Sequence, residues 1–199
     1  MTPIYLDYNA SGLVRPEVQE AMAKALADNG NPSAVHAAGR RTRARIETAR
    51  AQVADLVGAD PTAVIFSSGG TESNAQAIAS ALAAGCERLI VSATEHPCVA
   101  EAAMVSGAPV EVMPVDANGV VDLDWLAQAL ARPGRAVVAI HHANNESGVI
   151  QPIEATARMV RAAGGWGTTE ADWVRFADAW IAAYDKHRAR AAQRVAEPA

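Results

Sequence analysis

Cysteine and lysine are both scarce in this chain of 199 residues: it has Cys86 and Cys98, and only Lys24 and Lys186. Two cysteines without a CxxC spacing build no disulfide framework, and a reducing cytoplasm fits them. An excess of positive charge is also missing. The net charge is −5, so there is no electrostatic footprint for nucleic acid or an anionic membrane. No apolar run approaches the roughly 18 residues that span a bilayer. The start, MTPIYLDYNA, lacks the basic-then-apolar order of a signal peptide. What remains is a globular composition, 50% hydrophobic and 20% charged, with alanine at about a quarter of the chain, which favours helix.

The apolar pattern predicts a short extended entry at Ile4–Leu6 and a helix from Pro16 to about Asp28, opened by a proline in its first turn. Ser33 is placed to cap a long Ala/Arg-rich helix that ends at Gly58. Short apolar runs then alternate with helical stretches. Val64–Phe66, Leu89–Val91, Val110–Met113 and Ala136–Ile140 read as strands. Thr71–Ala84, Pro97–Val105, Asp122–Ala131 and Pro152–Gly164 read as helices, with a turn at Asn118-Gly119. Strands alternating with helices predict a parallel sheet with helices on its faces. Beyond Gly164-Gly165 the pattern becomes one long helix, Thr169 to about Val195. Its aromatic stripe of Trp173, Phe176, Trp180 and Tyr184 has the spacing of a packing face.

Three places could carry chemistry. Ser67-Ser68-Gly69-Gly70-Thr71 runs from a strand into a helix start, where free N–H groups suit a phosphate; a tight structural turn fits the same residues. His96 stands between a strand and a helix, where it can stack on a planar ligand, move protons or cap the helix. His141-His142-Ala143-Asn144-Asn145-Glu146 follows the next strand at the same sheet edge, where open parallel sheets collect ligands. No ligand spacing supports a metal bound by His96, His141 and His142.

YLDYNAS (Tyr5–Ser11), GNPSAVHAAGR (Gly30–Arg40), VIFSSGGTESN (Val64–Asn74), EHPCV (Glu95–Val99), PVDANGVVD (Pro114–Asp122) and HHANNESGVIQPI (His141–Ile153) occur in that order. Together they resemble the cysteine desulfurases of the class V aminotransferase family, which are pyridoxal-phosphate enzymes. The resemblance covers roughly residues 4–163. It implies an α/β fold: a partial large domain of the aspartate-aminotransferase type, with a parallel sheet remnant flanked by helices, over residues 1–163. Residues 164–199 would be a long C-terminal helix from the small domain.

The resemblance further implies that Gly70 and Thr71 hold the cofactor phosphate, that His96 stacks on the pyridine ring, and that Asn145 contacts the ring's oxygen side. Asn31 and His36 fall in the segment that shapes the substrate region. L-cysteine is the implied substrate, and a homodimer or association with a full-length desulfurase the implied assembly. A selenocysteine lyase or an aminotransferase of the same class is the related alternative.

The departures are as informative as the match. The family's Asp and Gln for the cofactor ring, its Ser-x-His-Lys segment with the Schiff-base lysine, and its loop with the nucleophilic cysteine have no counterpart here. Instead GWGTTEADWVRFADAW (Gly165–Trp180) resembles the segment that normally follows that cysteine. Lys24 and Lys186 lie on no matching motif and read as surface charges. Cys98 reads as a small core residue rather than a nucleophile. The chain thus reads as internally deleted and inactive alone, retaining at most weak pyridoxal-phosphate binding. The expected strand order is 110–113, 89–91, 136–140. Residues 64–66, their family neighbours gone, would either pair anew beside 136–140 or detach. Detachment would remove the cofactor pocket.

Overall fold

The computed structural model describes residues 11–165. The predicted entry at Ile4–Leu6, the helix over 169–195 with its aromatic stripe, and Lys186 lie outside the described residues. So does all but the first part of the segment assigned to 164–199. The chain divides into two units, 1–64 and 65–199.

In the first unit, α1 (Pro16–Ala27) begins with proline at its first turn, as the sequence predicts, and buries none of its residues. A Lys24–Glu20 ion pair of 2.6 Å lies along its exposed face. Helix α2 (Ala37–Val57) ends at Gly58 in the left-handed conformation, φ 63°, which glycine adopts without strain. Its N-cap is His36 rather than Ser33: the His36 Nδ1 accepts from the Gly39 N–H at 3.4 Å. Ser33 instead donates its backbone N–H to Asn31 Oδ1 at 2.9 Å, closing an Asx turn one step earlier. Gly39 is buried against this turn. A Cβ there would stand 2.2 Å from the Ala34 carbonyl oxygen, so only glycine lets α2 begin here. A 3-10 turn at Pro61–Ala63, capped by Asp60, follows α2.

The second unit is built on a three-stranded parallel sheet: β1 (Arg88–Ser92), β2 (Val110–Met113) and β3 (Ala136–Ala139), in the order β2-β1-β3. This is the expected order. Leu89 lies opposite Val110 on one side and Val137 on the other. Every residue of β1 is buried, as befits a central strand covered on both faces.

Strand alternation sorts the core into two layers. Leu89, Val91 and Val137 face α3 (Gly70–Ala83) and α4 (Pro97–Val105), packing with Ile78, Ala81 and Ala103. Ile90, Met113 and Ala136 face α5 (Leu123–Leu130) and α6 (Ile153–Ala162), packing with Leu126, Ala129 and Met159. Asp122 caps α5 through a 2.8 Å bond from the Trp125 N–H. One charge is buried with the sheet: Arg88 donates to Glu111 at 3.0 Å and to the carbonyls of Gly134 and Arg132, which satisfies its fork. Among the described residues no helix is long and apolar enough to cross a membrane.

The strand expected at Val64–Phe66 does not form. Residues 64–66 are not a strand of the sheet, and Ile65 and Phe66 are exposed. An apolar run becomes a strand only when a neighbour takes its backbone groups. β3 pairs with β1 alone, and no strand is added beyond it among the described residues.

Candidate functional site

The carboxyl ends of β1 and β3, the N-terminus of α3 and that of α4 converge on one cleft of about 750 Å³. Gly70, Thr71, Asn74 and Ile78 contribute one wall. Glu95, His96, Cys98 and Val99 contribute a second, and Val137–His141 a third. Although 64–66 has detached, the turn after it has not left the cleft, contrary to the sequence expectation. Helix α3 is held by its own apolar face, with Ile78 and Ala81 buried against β1, β3 and α4. The Asn74 amide also reaches Cys98 Sγ at 3.3 Å.

The start of α3 is open to an anion. Its N-cap, Gly69, offers no side chain to the first-turn N–H groups. A Cβ at Gly69 or Gly70 would meet nothing within 4 Å, so the space beside these two residues is open. Glu72 is turned back onto Ser68, whose N–H donates to its carboxylate at 2.7 Å and whose hydroxyl does the same. These two bonds hold the Glu72 carboxyl below its ordinary range, the hydroxyl bond most strongly.

Two histidines line the cleft, and each is fixed by its neighbours. His96 caps α4: its Nδ1 accepts from the Cys98 N–H at 3.1 Å and lies 3.0 Å from Cys98 Sγ. Pro97 at the first helical position makes this start sharp. His141, just past β3, puts its Nδ1 3.2 Å from Glu95 Oε1. The other carboxylate oxygen of Glu95 accepts from the His96 N–H at 2.9 Å. His141 Nε2 is buried without a hydrogen-bond partner.

Of the site residues read from sequence, Gly70, Thr71 and His96 come together on the cleft. Asn145 does not line it: it lies exposed in the loop after β3 and donates to Glu146 Oε1 at 2.8 Å. Its neighbour Asn144 organises that loop, donating to the Thr94 carbonyl at 3.0 Å and accepting from Glu146, Ser147 and the Ser147 hydroxyl. A carbonyl in reach at the end of β1 makes Asn144 the tie and leaves its neighbour exposed. Asn31 and His36 belong to the first unit, where both serve turns at the start of α2. Cys98 is half-exposed on the cleft rather than in the core, because the cap puts it at the start of α4; Cys86 is buried. No group of three metal-ligating side chains forms among the described residues.

Sequence reasoning missed Glu95, Asn74 and the role of His141. The only available signal was that TEH and HH both stand just past strands.

The aminotransferase class-V family model matches residues 4–169. The chain is 42% identical over 165 residues to the cysteine desulfurase IscS of Dictyoglomus turgidum, covering 79% of this chain and 42% of that protein. It is 43% identical over 180 residues to a cysteine desulfurase of Sinorhizobium fredii, covering 86% and 46%. Among solved structures, a NifS-like protein from Rickettsia africae superposes with a TM-score of 0.74 at 32% identity, covering 81% of this chain and 46% of that one. The structure of SspA in complex with cysteine superposes at 0.73 with 33% identity, covering 81% and 48%. The chain therefore spans somewhat less than half the length of these relatives. The described α/β unit is part of a pyridoxal-phosphate-transferase large domain.

Proposed function

The chain belongs to the class V aminotransferase family, and on that premise we propose that its cleft binds pyridoxal 5′-phosphate reversibly, as the cofactor-holding part of a cysteine desulfurase. One observation carries this reading: an uncapped helix start with open space beside it shares a single cleft with an oriented imidazole. The residues fit the group. The first-turn N–H groups of α3 and the Thr71 hydroxyl would take the phosphate, aided by the positive end of a 14-residue helix. His96, held at Nδ1 by the Cys98 N–H, would lie against the ring.

When bound, the cofactor supplies an electron sink for chemistry at an amino-acid substrate. In the relatives named above that substrate is cysteine, and L-cysteine is the substrate proposed for the intact protein type. This chain carries no lysine on a family motif to anchor the cofactor, and no loop cysteine to receive sulfur. Lys24 is paired with Glu20 in the first unit. The chain alone therefore holds the cofactor without releasing sulfide.

The test is absorbance titration with pyridoxal phosphate, borohydride reduction with mapping of any modified lysine, and a sulfide assay with L-cysteine. The expected result is saturable binding, weakened by Thr71→Ala and His96→Ala, with no stoichiometric lysine adduct and no sulfide. Absence of saturable binding refutes the cleft assignment, and sulfide release refutes the inactivity. A second reading, association with a full-length desulfurase, is favoured by β3, which pairs on one side only among the described residues. Failure to co-purify with such a partner in co-expression would remove it.

A further inference from the structure

The two imidazoles of the cleft are locked in opposite tautomers. A backbone N–H can only donate, so the bond from Cys98 N–H leaves His96 Nδ1 without a proton and places the proton of the neutral ring on Nε2. Glu95 is an acceptor at both oxygens, taking the His96 N–H on one. His141 Nδ1 at 3.2 Å from the other must therefore be the donor, so that the proton of the neutral ring sits on Nδ1 and the lone pair on Nε2. The Glu95 side chain is 5% exposed and that of His141 15%, so water competes little for this pair. Both residues line the cleft; His96 thus carries its ring N–H on Nε2, and His141 carries a bare nitrogen there. That nitrogen is buried and has no partner. A buried acceptor left unpaired costs stability, and a ligand donor that reaches it recovers the cost.

We propose that His141, oriented by Glu95, is the hydrogen-bond acceptor of this cleft, and that it selects a ligand whose planar ring carries an N–H or O–H donor. This rests on the reading that the cleft takes a phosphorylated heteroaromatic ring. It adds a residue that discriminates the ring from the phosphate alone. The start of α3 recognises any phosphate; His141 responds only to the donor group.

The experiment uses the full chain, pyridoxine 5′-phosphate, which has the ring and phosphate but no aldehyde to react with lysine, and inorganic phosphate. Side-chain ¹⁵N NMR of the free protein should show a protonated Nδ1 at His141 and a protonated Nε2 at His96. Pyridoxine phosphate should then shift the His141 Nε2 resonance. By calorimetry, His141→Leu should weaken pyridoxine phosphate about tenfold, the size of one lost hydrogen bond, and leave inorganic phosphate within about twofold. Glu95→Gln should release the tautomer lock and weaken pyridoxine phosphate with His141 still present.

A protonated Nε2 at His141 overturns the inference. So does unchanged pyridoxine phosphate affinity in His141→Leu, or an equal loss for both ligands, which would mark His141 as structural or as an anion contact. If the wild-type chain binds inorganic phosphate but not pyridoxine phosphate, the cofactor reading itself falls and the inference falls with it. That outcome is distinct from a wild-type protein that binds and a variant that binds equally well.

Discussion

The cleft depends on α3 staying docked, and Ile78 is the side chain that docks it. Ile78 is 6% exposed and packs with Leu89, Val91 and Val137 of the sheet and with Ala103 of α4. Ile78→Ala removes three carbons, worth about 2.4 kcal/mol at about 0.8 kcal/mol each, and the cavity left behind brings the loss to about 3 kcal/mol. The chain before α3 adds no support from the sheet, because 64–66 is not a strand. Other ties are Ala81, Leu82, the Asn74–Cys98 contact and the bond from Arg135 to the Ala84 carbonyl at 3.2 Å. A loss of about 3 kcal/mol raises the undocked population of α3 roughly 150-fold.

Hydrogen exchange read by mass spectrometry should show protection lost over 70–83 ahead of 88–92, with phosphate affinity reduced in parallel. Leu126→Ala is the control: Leu126 is fully buried on the opposite face of the sheet. It should destabilise the unit by a similar amount without selectively freeing α3. Unchanged protection over 70–83 in Ile78→Ala would refute the docking argument. Phosphate affinity that survives the loss of that protection would refute the placement of the phosphate site.

Other expectations follow from the same geometry. Iodoacetamide should modify half-exposed Cys98 well before buried Cys86, with pyridoxine phosphate slowing the reaction; equal rates by peptide mapping would contradict the packing. Gly39→Ala should destabilise the start of α2 by about 1–3 kcal/mol, the cost of overpacking, because its Cβ would meet the Ala34 carbonyl; a thermal melt no lower than wild type would refute the close approach. The Glu72 carboxyl is depressed in the folded chain, chiefly by the Ser68 hydroxyl and then by the Ser68 N–H. Its bridge to Ser68 should therefore be fully present above its ordinary value of 4.5 and be lost only as pH falls through the lower folded value. An NMR titration of the Ser68 amide that moves with a midpoint at or above 4.5 would contradict this. Asn144→Ala should free the loop after β3 by removing its bond to the Thr94 carbonyl, a loss of about 1–2 kcal/mol read as faster exchange over 141–150.

Much of both units could be read from the chain itself. The proline-opened helices at Pro16 and Pro97, the Asp122 cap, the left-handed Gly58 and the parallel β-α-β alternation are local or periodic features. They rest on interactions within a few residues, which the sequence states directly. The grouping of Gly70, Thr71 and His96 was also legible, through motif order. Three things were not. Val64–Phe66 has the composition of a strand, yet strand formation depends on a partner elsewhere in the chain. The N-cap of α2 was ambiguous, since Ser33 and His36 both can accept, and the folded turn engages His36 with the Gly39 N–H and Ser33 with Asn31. The pairing of His141 with Glu95 joins residues 46 positions apart, and neither residue announces it alone. Local chemistry specified where helices begin and end and which strands alternate. The tertiary structure decided which apolar run stayed outside the sheet, which histidine nitrogen bears the proton, and that α3 stays at the cleft through Ile78 and Ala81. Those outcomes are set by through-space packing and hydrogen-bond partners, which no short stretch of sequence contains.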